Sequence, residues 1–181
     1  MKPIGPLMIE HRLIERMVEL MSRELNRMNS GEQPDVNFIG QAADFMRTYG
    51  DRCHHGKEEN ILFIALADKS LSPEHQQTMA ELVREHNEAR EMLGELTDAR
   101  SRYAAGAGEA VSTIAKCLEG LVRLYPHHIA TEDKHFFIPI MEYFTETEQQ
   151  NMLQEFAEFD RALIHGKYEQ LVTELEQNNT E

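Results

Sequence analysis

The chain has 181 residues, of which 18 are Lys or Arg and 32 are Asp or Glu, and its formal net charge is −14 at pH 7. The length fits one domain, and an acidic balance with no basic block argues against nucleic acid or an anionic membrane as the partner. No apolar run approaches the roughly 18 residues of a membrane span, and the N-terminal segment lacks the uninterrupted apolar stretch of a signal peptide. Two cysteines do not make a disulfide framework. We therefore expect a cytoplasmic protein that contacts no membrane.

The first half of the chain predicts two amphipathic helices. Apolar residues recur at three- and four-residue steps from Leu7 to Leu25, which is the pattern of a helix with one buried face. Ser, Gly and Pro within residues 29–35 interrupt this pattern. Residues 36–68 then resume it and predict a second helix.

The second half predicts two more long helices and an extension. The Ser-Pro pair at 72–73 is typical of a helix start, and this third helix should run to about residue 103. A glycine-containing turn separates it from a fourth helix over about 109–142. The Thr-Glu-Thr-Glu run at 145–148 has capping-box spacing and predicts a fifth helix over about 146–177.

Four long helices with short connections predict an all-α fold, an up-down-up-down four-helix bundle with an additional C-terminal helix. We expect the bundle to occupy residues 1–145 and the C-terminal extension to occupy residues 146–181, packed on or beside the bundle. Alternatively, the extension projects to a partner, so that a homodimer or a protein complex would form through it.

The nine histidines include a repeated pattern. Residues 54–63 and 127–136 align without gaps, and each contains a His-x-x-x-Glu sequence. Residues 9–17 and 84–92 also resemble each other, and each contains Glu-His at the same place. The offsets of the two repeats are nearly equal, so the chain consists of two similar helix pairs. Antiparallel packing would gather four His and two Glu in the bundle interior, namely His11, His55, Glu59, His86, His128 and Glu132.

This spacing suits a metal centre. Residues i and i+4 of an α-helix share a face about 6 Å apart along the axis, so an imidazole and a carboxylate can reach one ion. Mixed imidazole and carboxylate donors suit iron, manganese or zinc better than copper(I) or calcium. Six protein ligands for two metals leave positions open for a small ligand. A single His-x-x-x-Glu would be an ordinary helical pair, but two copies in register favour metal binding.

At these residues the chain resembles the hemerythrin-like (HHE cation-binding) family. The resemblance covers about residues 5–145 and rests on the pattern H…HxxxE…H…HxxxE, supported by CHHGKEENILF and YPHHIATEDKHFFIP. It implies a hemerythrin-like bundle around two non-haem Fe ions with carboxylate and oxo or hydroxo bridges. It also implies a protein that binds or senses O2, NO or peroxide, senses redox state, or handles iron.

The sequence departs from the family members that carry oxygen. Those proteins have a second His four residues after the third-helix His, where this chain has Arg90. With one imidazole fewer, the centre favours redox turnover over simple oxygen carriage. A peroxide-decomposing, catalase-like enzyme at the same centre is therefore an alternative, and an iron-dependent regulatory or interaction protein is another. Whether His54, His127 or Tyr125 adds a further ligand stays open.

Overall fold

The structure is a computed structural model that describes residues 2–161 and 164–178. Helices make up its secondary structure, and no strand occurs among the described residues. The prediction of an all-α fold is confirmed. Within the described part of the chain, none of the helices combines the length and apolar character that crossing a membrane requires.

Four long helical segments build the bundle, and two of them change their winding along their length. The first and third are the single helices α1 (Ile4–Asn29) and α4 (Pro73–Ala104). The second comprises α2 (Val36–Phe45), π-helical turns at Met46–His55 and Glu58–Leu62, and α3 (Phe63–Ala67). The fourth comprises α5 (Ala110–Thr131), a π-helical turn at Glu132–Phe136, α6 (Phe137–Ile140) and a 3-10 turn at Met141–Tyr143.

Local capping explains where two of these segments begin. The Asp35 carboxylate accepts hydrogen bonds from the backbone N–H groups of Asn37 and Phe38 at the start of α2. The Ser72 hydroxyl accepts one from the backbone N–H of His75, next to a proline at the first position of α4. Such caps satisfy backbone donors that a helix start leaves unpaired. The helix start predicted at residues 72–73 is confirmed.

Two apolar clusters lie on either side of a polar layer, and they show the direction of each segment. A large cluster contains Met17 and Phe45, and a small cluster contains Leu7 and Phe63. Along α1 the chain passes from the small cluster through the polar layer to the large one, and residues 36–67 make the reverse passage. α4 and residues 110–143 repeat this alternation. Consecutive segments are therefore antiparallel, which is the predicted up-down-up-down bundle.

The C-terminal extension packs on the bundle as two helices where the sequence predicts one. α7 (Glu146–Phe159) contacts the π-helical turn at Glu58–Leu62, and Phe156 is buried in the small cluster. α8 (Ile164–Asn178) contacts α1 and the π-helical turn at Met46–His55. The extension thus covers the stretch of the second segment that carries the doublet of histidines.

Thr145→Ala is expected to lower the free energy of unfolding by about 1 kcal/mol, because it removes the cap of α7. The Thr145 hydroxyl accepts from the backbone N–H of Glu148, and the Glu148 carboxylate accepts in return from the backbone N–H of Thr145. Chemical denaturation would measure the loss. Ser101→Ala is the matched control, since that exposed hydroxyl bonds to a carbonyl of its own helix. An equal loss in both variants would contradict the capping role.

The same capping box predicts a pH effect. Hydrogen bonds from Lys69 and from Thr145 lower the pKa of Glu148 to about 2. A carboxyl with a depressed pKa stabilises the fold above its ordinary pKa, and this contribution disappears as the pH falls towards 2. The stability difference between the parent chain and Thr145→Ala should therefore narrow in acid.

Candidate metal centre

The polar layer consists of five imidazoles and two carboxylates, all at most 1% exposed: His11, His54, His55, His86, His128, Glu58 and Glu132. They form two groups whose donor atoms lie within 4.8 Å of one another. One group contains His55, His86, His128 and Glu58, and the other contains His11, His54, Glu132 and again Glu58. Since Glu132 Oε2 also lies 3.3 Å from His128 Nε2, both carboxylates lie between the two groups.

Five of the six side chains predicted from the sequence belong to these groups, namely His11, His55, His86, His128 and Glu132. The sixth, Glu59, lies outside both and is partly exposed. Its carboxylate accepts from His86 Nδ1 at 2.7 Å and from Arg90 at 2.8 Å. The preceding residue, Glu58, takes the central place between the two groups.

The winding of the second segment explains why Glu58, and not Glu59, lies at the centre. In an α-helix, neighbouring residues are rotated by about 100°, so only one residue of a doublet faces the interior. A π-helical turn closes its hydrogen bond one residue later and therefore holds more residues per turn. His54 and His55 lie at the end of the π-helical turn Met46–His55, and both side chains face the interior. In the fourth segment α5 continues through Pro126, and His127 is exposed while His128 is buried.

Each of the five imidazoles points one nitrogen at the centre and the other at an acidic side chain. The Nδ1 atoms lie beside carboxylate oxygens in five pairs: His11 with Asp133 at 2.7 Å, His54 with Glu10 at 2.7 Å, His55 with Asp51 at 3.4 Å, His86 with Glu59 at 2.7 Å, and His128 with Glu85 at 2.8 Å. A carboxylate only accepts, so the proton belongs on Nδ1 and the lone pair on Nε2 faces inward. Metal-binding imidazoles are oriented in this way.

Several buried acceptor atoms of the centre have no hydrogen-bond partner. His11 Nε2 lies 2.9 Å from His54 Nε2, and His86 Nε2 lies 3.2 Å from His128 Nε2. His55 Nε2 and all four carboxylate oxygens of Glu58 and Glu132 are buried without a hydrogen-bond partner. Buried polar atoms are almost always paired, because leaving them unpaired costs free energy. Unpaired acceptors that converge in this way fit a bound cation.

The electrostatics of the centre differ among its imidazoles. Burial lowers the pKa of His11, but the adjacent Asp133 and Glu132 raise it to about 9, so a metal would have to displace a proton from this imidazole. Burial and the nearby Glu132 raise the pKa of Glu58 well above its usual range, because two carboxylates in one dry interior repel each other. Burial and the neighbouring imidazoles lower the pKa of His54 and of His55 well below the usual value. These two imidazoles are therefore neutral at pH 7, as metal ligands must be. A bound cation would offset the repulsion between Glu58 and Glu132.

An apolar wall and a small cavity border the centre. The Phe137 ring stacks on His11 at a centroid distance of 5.7 Å, and the Phe63 ring stacks on His86 at 6.3 Å. A cavity of about 160 Å³ between α1 and α5 is lined by residues that include Tyr125. The Tyr125 hydroxyl is buried without a partner, and its ring stacks on His55 at 6.3 Å. The sequence left open whether Tyr125 is a further ligand.

The sequence model described as hemerythrin HHE cation-binding domain matches residues 2–138. The match includes all seven side chains of the centre and ends before the C-terminal extension. Neither a curated protein nor a solved structure matches the chain significantly.

Proposed function

The chain belongs to the hemerythrin HHE cation-binding family, and on that premise we propose that it holds two iron ions and binds a small ligand such as O2, NO or peroxide. The ligands would be His55, His86 and His128 on one ion, and His11 and His54 on the other. Glu58 and Glu132 would serve both ions. The observation that carries this proposal is the convergence of seven buried imidazole and carboxylate side chains, three of which (His55, Glu58 and Glu132) have buried acceptor atoms without a hydrogen-bond partner.

The donor set supports iron as the metal. Imidazole and carboxylate together suit iron, manganese or zinc, and seven side chains leave positions of two ions open. The bound irons would supply redox chemistry and affinity for a small diatomic molecule or peroxide. The surrounding residues orient the imidazoles through their Nδ1 atoms, and the aromatic wall limits the access of water.

The fifth imidazole bears on the choice between ligand binding and turnover. Arg90 stands where oxygen-carrying relatives place a histidine, and its guanidinium pairs with Glu59 and Asp51 instead of facing the centre. The His54–His55 doublet brings a fifth imidazole from a different helix. Five imidazoles and two carboxylates leave fewer open positions than four and two would, which favours ligand binding or sensing over the catalase-like alternative.

Metal content of the freshly purified chain tests this proposal, with an optical spectrum recorded in parallel. We expect about two irons per chain and a charge-transfer band that changes when NO or O2 is added. Near-zero iron, or one zinc that survives both Glu58→Gln and Glu132→Gln, would contradict the proposed centre. Sustained oxygen evolution from peroxide that is lost in His55→Ala would favour the enzyme instead.

Tyr125→Phe is expected to speed the dissociation of a bound small ligand by about fivefold to tenfold without changing metal content. A hydrogen bond from the phenol would be worth about 1 kcal/mol, and this buried hydroxyl has no other partner. Stopped-flow measurement of NO release from the iron-loaded chain would show the change. An unchanged rate would assign Tyr125 to core packing, and a loss of iron would make it a ligand.

A further inference from the structure

A buried lysine connects the C-terminal extension to the metal centre. Lys57 is fully buried one residue before Glu58, and its ammonium lies 2.7 Å from both carboxylate oxygens of Asp160. The same ammonium donates to one oxygen of Glu10, and the other oxygen of Glu10 accepts from His54 Nδ1 at 2.7 Å. A continuous path of charged hydrogen bonds thus runs from Asp160 to a proposed ligand.

The position of Asp160 is fixed by contacts on several sides. Its carboxylate accepts from Cys53 Sγ at 3.2 Å and lies 3.1 Å from His165 Nε2. The adjacent Phe159 ring lies against Gly56 so closely that a Cβ at this glycine would be 2.8 Å from it. All three residues of the extension in these contacts lie beyond the 2–138 family match. The contact is therefore a feature of this chain that its family match does not include.

The internal repeat provides a comparison for this path. Glu85 has the same place in the second repeat as Glu10 in the first, and it accepts from His128 Nδ1 at 2.8 Å. The position that matches Lys57 in the second repeat is Ala130. No lysine or arginine pairs with Glu85 among the described residues. Glu10 is therefore paired with a lysine, whereas Glu85 is not.

We propose that Asp160 and Lys57 are positioning residues, through which the C-terminal extension orients Glu10 and His54 and tightens the ion on the His11 and His54 side. This inference rests on the proposed function. A buried ammonium needs acceptors for its three N–H donors, and Asp160 supplies acceptor oxygens in addition to the one from Glu10. Groups that orient a metal-binding imidazole typically change metal affinity by about 10- to 100-fold.

Asp160→Asn tests the path in the full chain loaded with ferrous iron. The amide keeps the shape of the side chain but removes its charge. We expect a chelator to withdraw one of the two ions about 10- to 100-fold more readily, while the affinity of the other ion stays unchanged. Mössbauer spectra of the partly depleted protein would show one remaining iron species. Glu85→Gln should weaken the other ion instead, because it acts on His128.

Tyr168→Phe is the matched control within the same extension. Its hydroxyl donates to Asp44 at 2.7 Å, so the variant loses a contact between α8 and the bundle without touching the path. We expect both ions to bind as in the parent chain. If both ions weaken equally in Asp160→Asn, or if Tyr168→Phe weakens one ion to the same degree, the positioning role is overturned.

Amide hydrogen exchange gives a second readout that does not depend on ligand chemistry. If the docked extension increases the affinity for the ion, then binding of the ion must stabilise the docked extension by the same free energy. Residues 165–178 should therefore exchange more slowly after iron loading in the parent chain and in Tyr168→Phe, but not in Asp160→Asn. Suppose that the parent binds two ions and that Asp160→Asn matches it in both ion affinities and in amide exchange. That result would overturn this inference but leave the proposed function standing. A parent chain that takes up no second ion would overturn the proposed function as well.

Discussion

Glu58→Gln is expected to abolish the retention of both ions, whereas Glu59→Gln is expected to keep two ions bound with reduced affinity. Glu58 is the one side chain shared by the two donor groups, and both of its carboxylate oxygens are buried without a hydrogen-bond partner. Replacing it with an amide removes the charge that offsets two cations. Glu59 instead accepts from His86 Nδ1 and Arg90. Its loss should therefore lower the metal affinity by only about 10- to 100-fold, as is typical of a group that orients a ligand.

The two variants differ by one residue position and carry the same substitution, so each controls for the other. Dialysis against buffer followed by metal analysis would count the retained ions, and circular dichroism would verify the helical fold. Two ions in Glu58→Gln together with none in Glu59→Gln would reverse the assignment. That result would favour the ligand set predicted from α-helical spacing, with Glu59 in the centre.

The fold was largely predictable because several helix boundaries have a local chemical signal. The Ser-Pro pair at 72–73 and the capping box at 145–148 both mark real helix starts. The division between α7 and α8 carries no such signal, since no proline or glycine occurs in residues 160–163. On either side of the division, Asp160 contacts Lys57 and α8 contacts α1.

Most of the centre was predictable from α-helical spacing. Five of the six predicted side chains belong to it, namely His11, His55, His86, His128 and Glu132, and the exception, Glu59, lies on the second segment. That segment departs from α-helical spacing, and no propensity rule locates a π-helical turn in advance. One signal could have raised the alternative: His54 and Glu58 have the same four-residue spacing as His55 and Glu59. The sequence left His54 open as a further ligand, but α-helical spacing placed Glu58 on a solvated face.

Removal of the metal is expected to lower the melting temperature by roughly 10–20 °C. At a free concentration of 100 times its Kd, each ion stabilises the folded chain by about 2.7 kcal/mol. Two ions thus contribute about 5 kcal/mol, and in a chain of this length about 1 kcal/mol corresponds to roughly 2–4 °C. Scanning calorimetry of the loaded and chelator-treated chain would measure the difference. A shift below a few degrees would contradict a buried two-ion site.

Glu58→Leu should reverse the sign of this effect. Without metal, the parent chain buries the Glu58 side chain beside Glu132 with no hydrogen-bond partner. A buried polar group left unpaired costs about 1–3 kcal/mol, and an apolar side chain avoids that cost. The metal-free variant should therefore melt above the metal-free parent, while the loaded parent melts above both. Glu148→Leu is a comparison of opposite sign, since it removes a carboxylate that caps α7 and pairs with Lys69, and it should destabilise the metal-free chain. If the metal-free Glu58→Leu variant is less stable than the metal-free parent, then Glu58 stabilises the fold itself. The expected order instead means that this carboxylate binds the ions and lowers the stability of the metal-free chain.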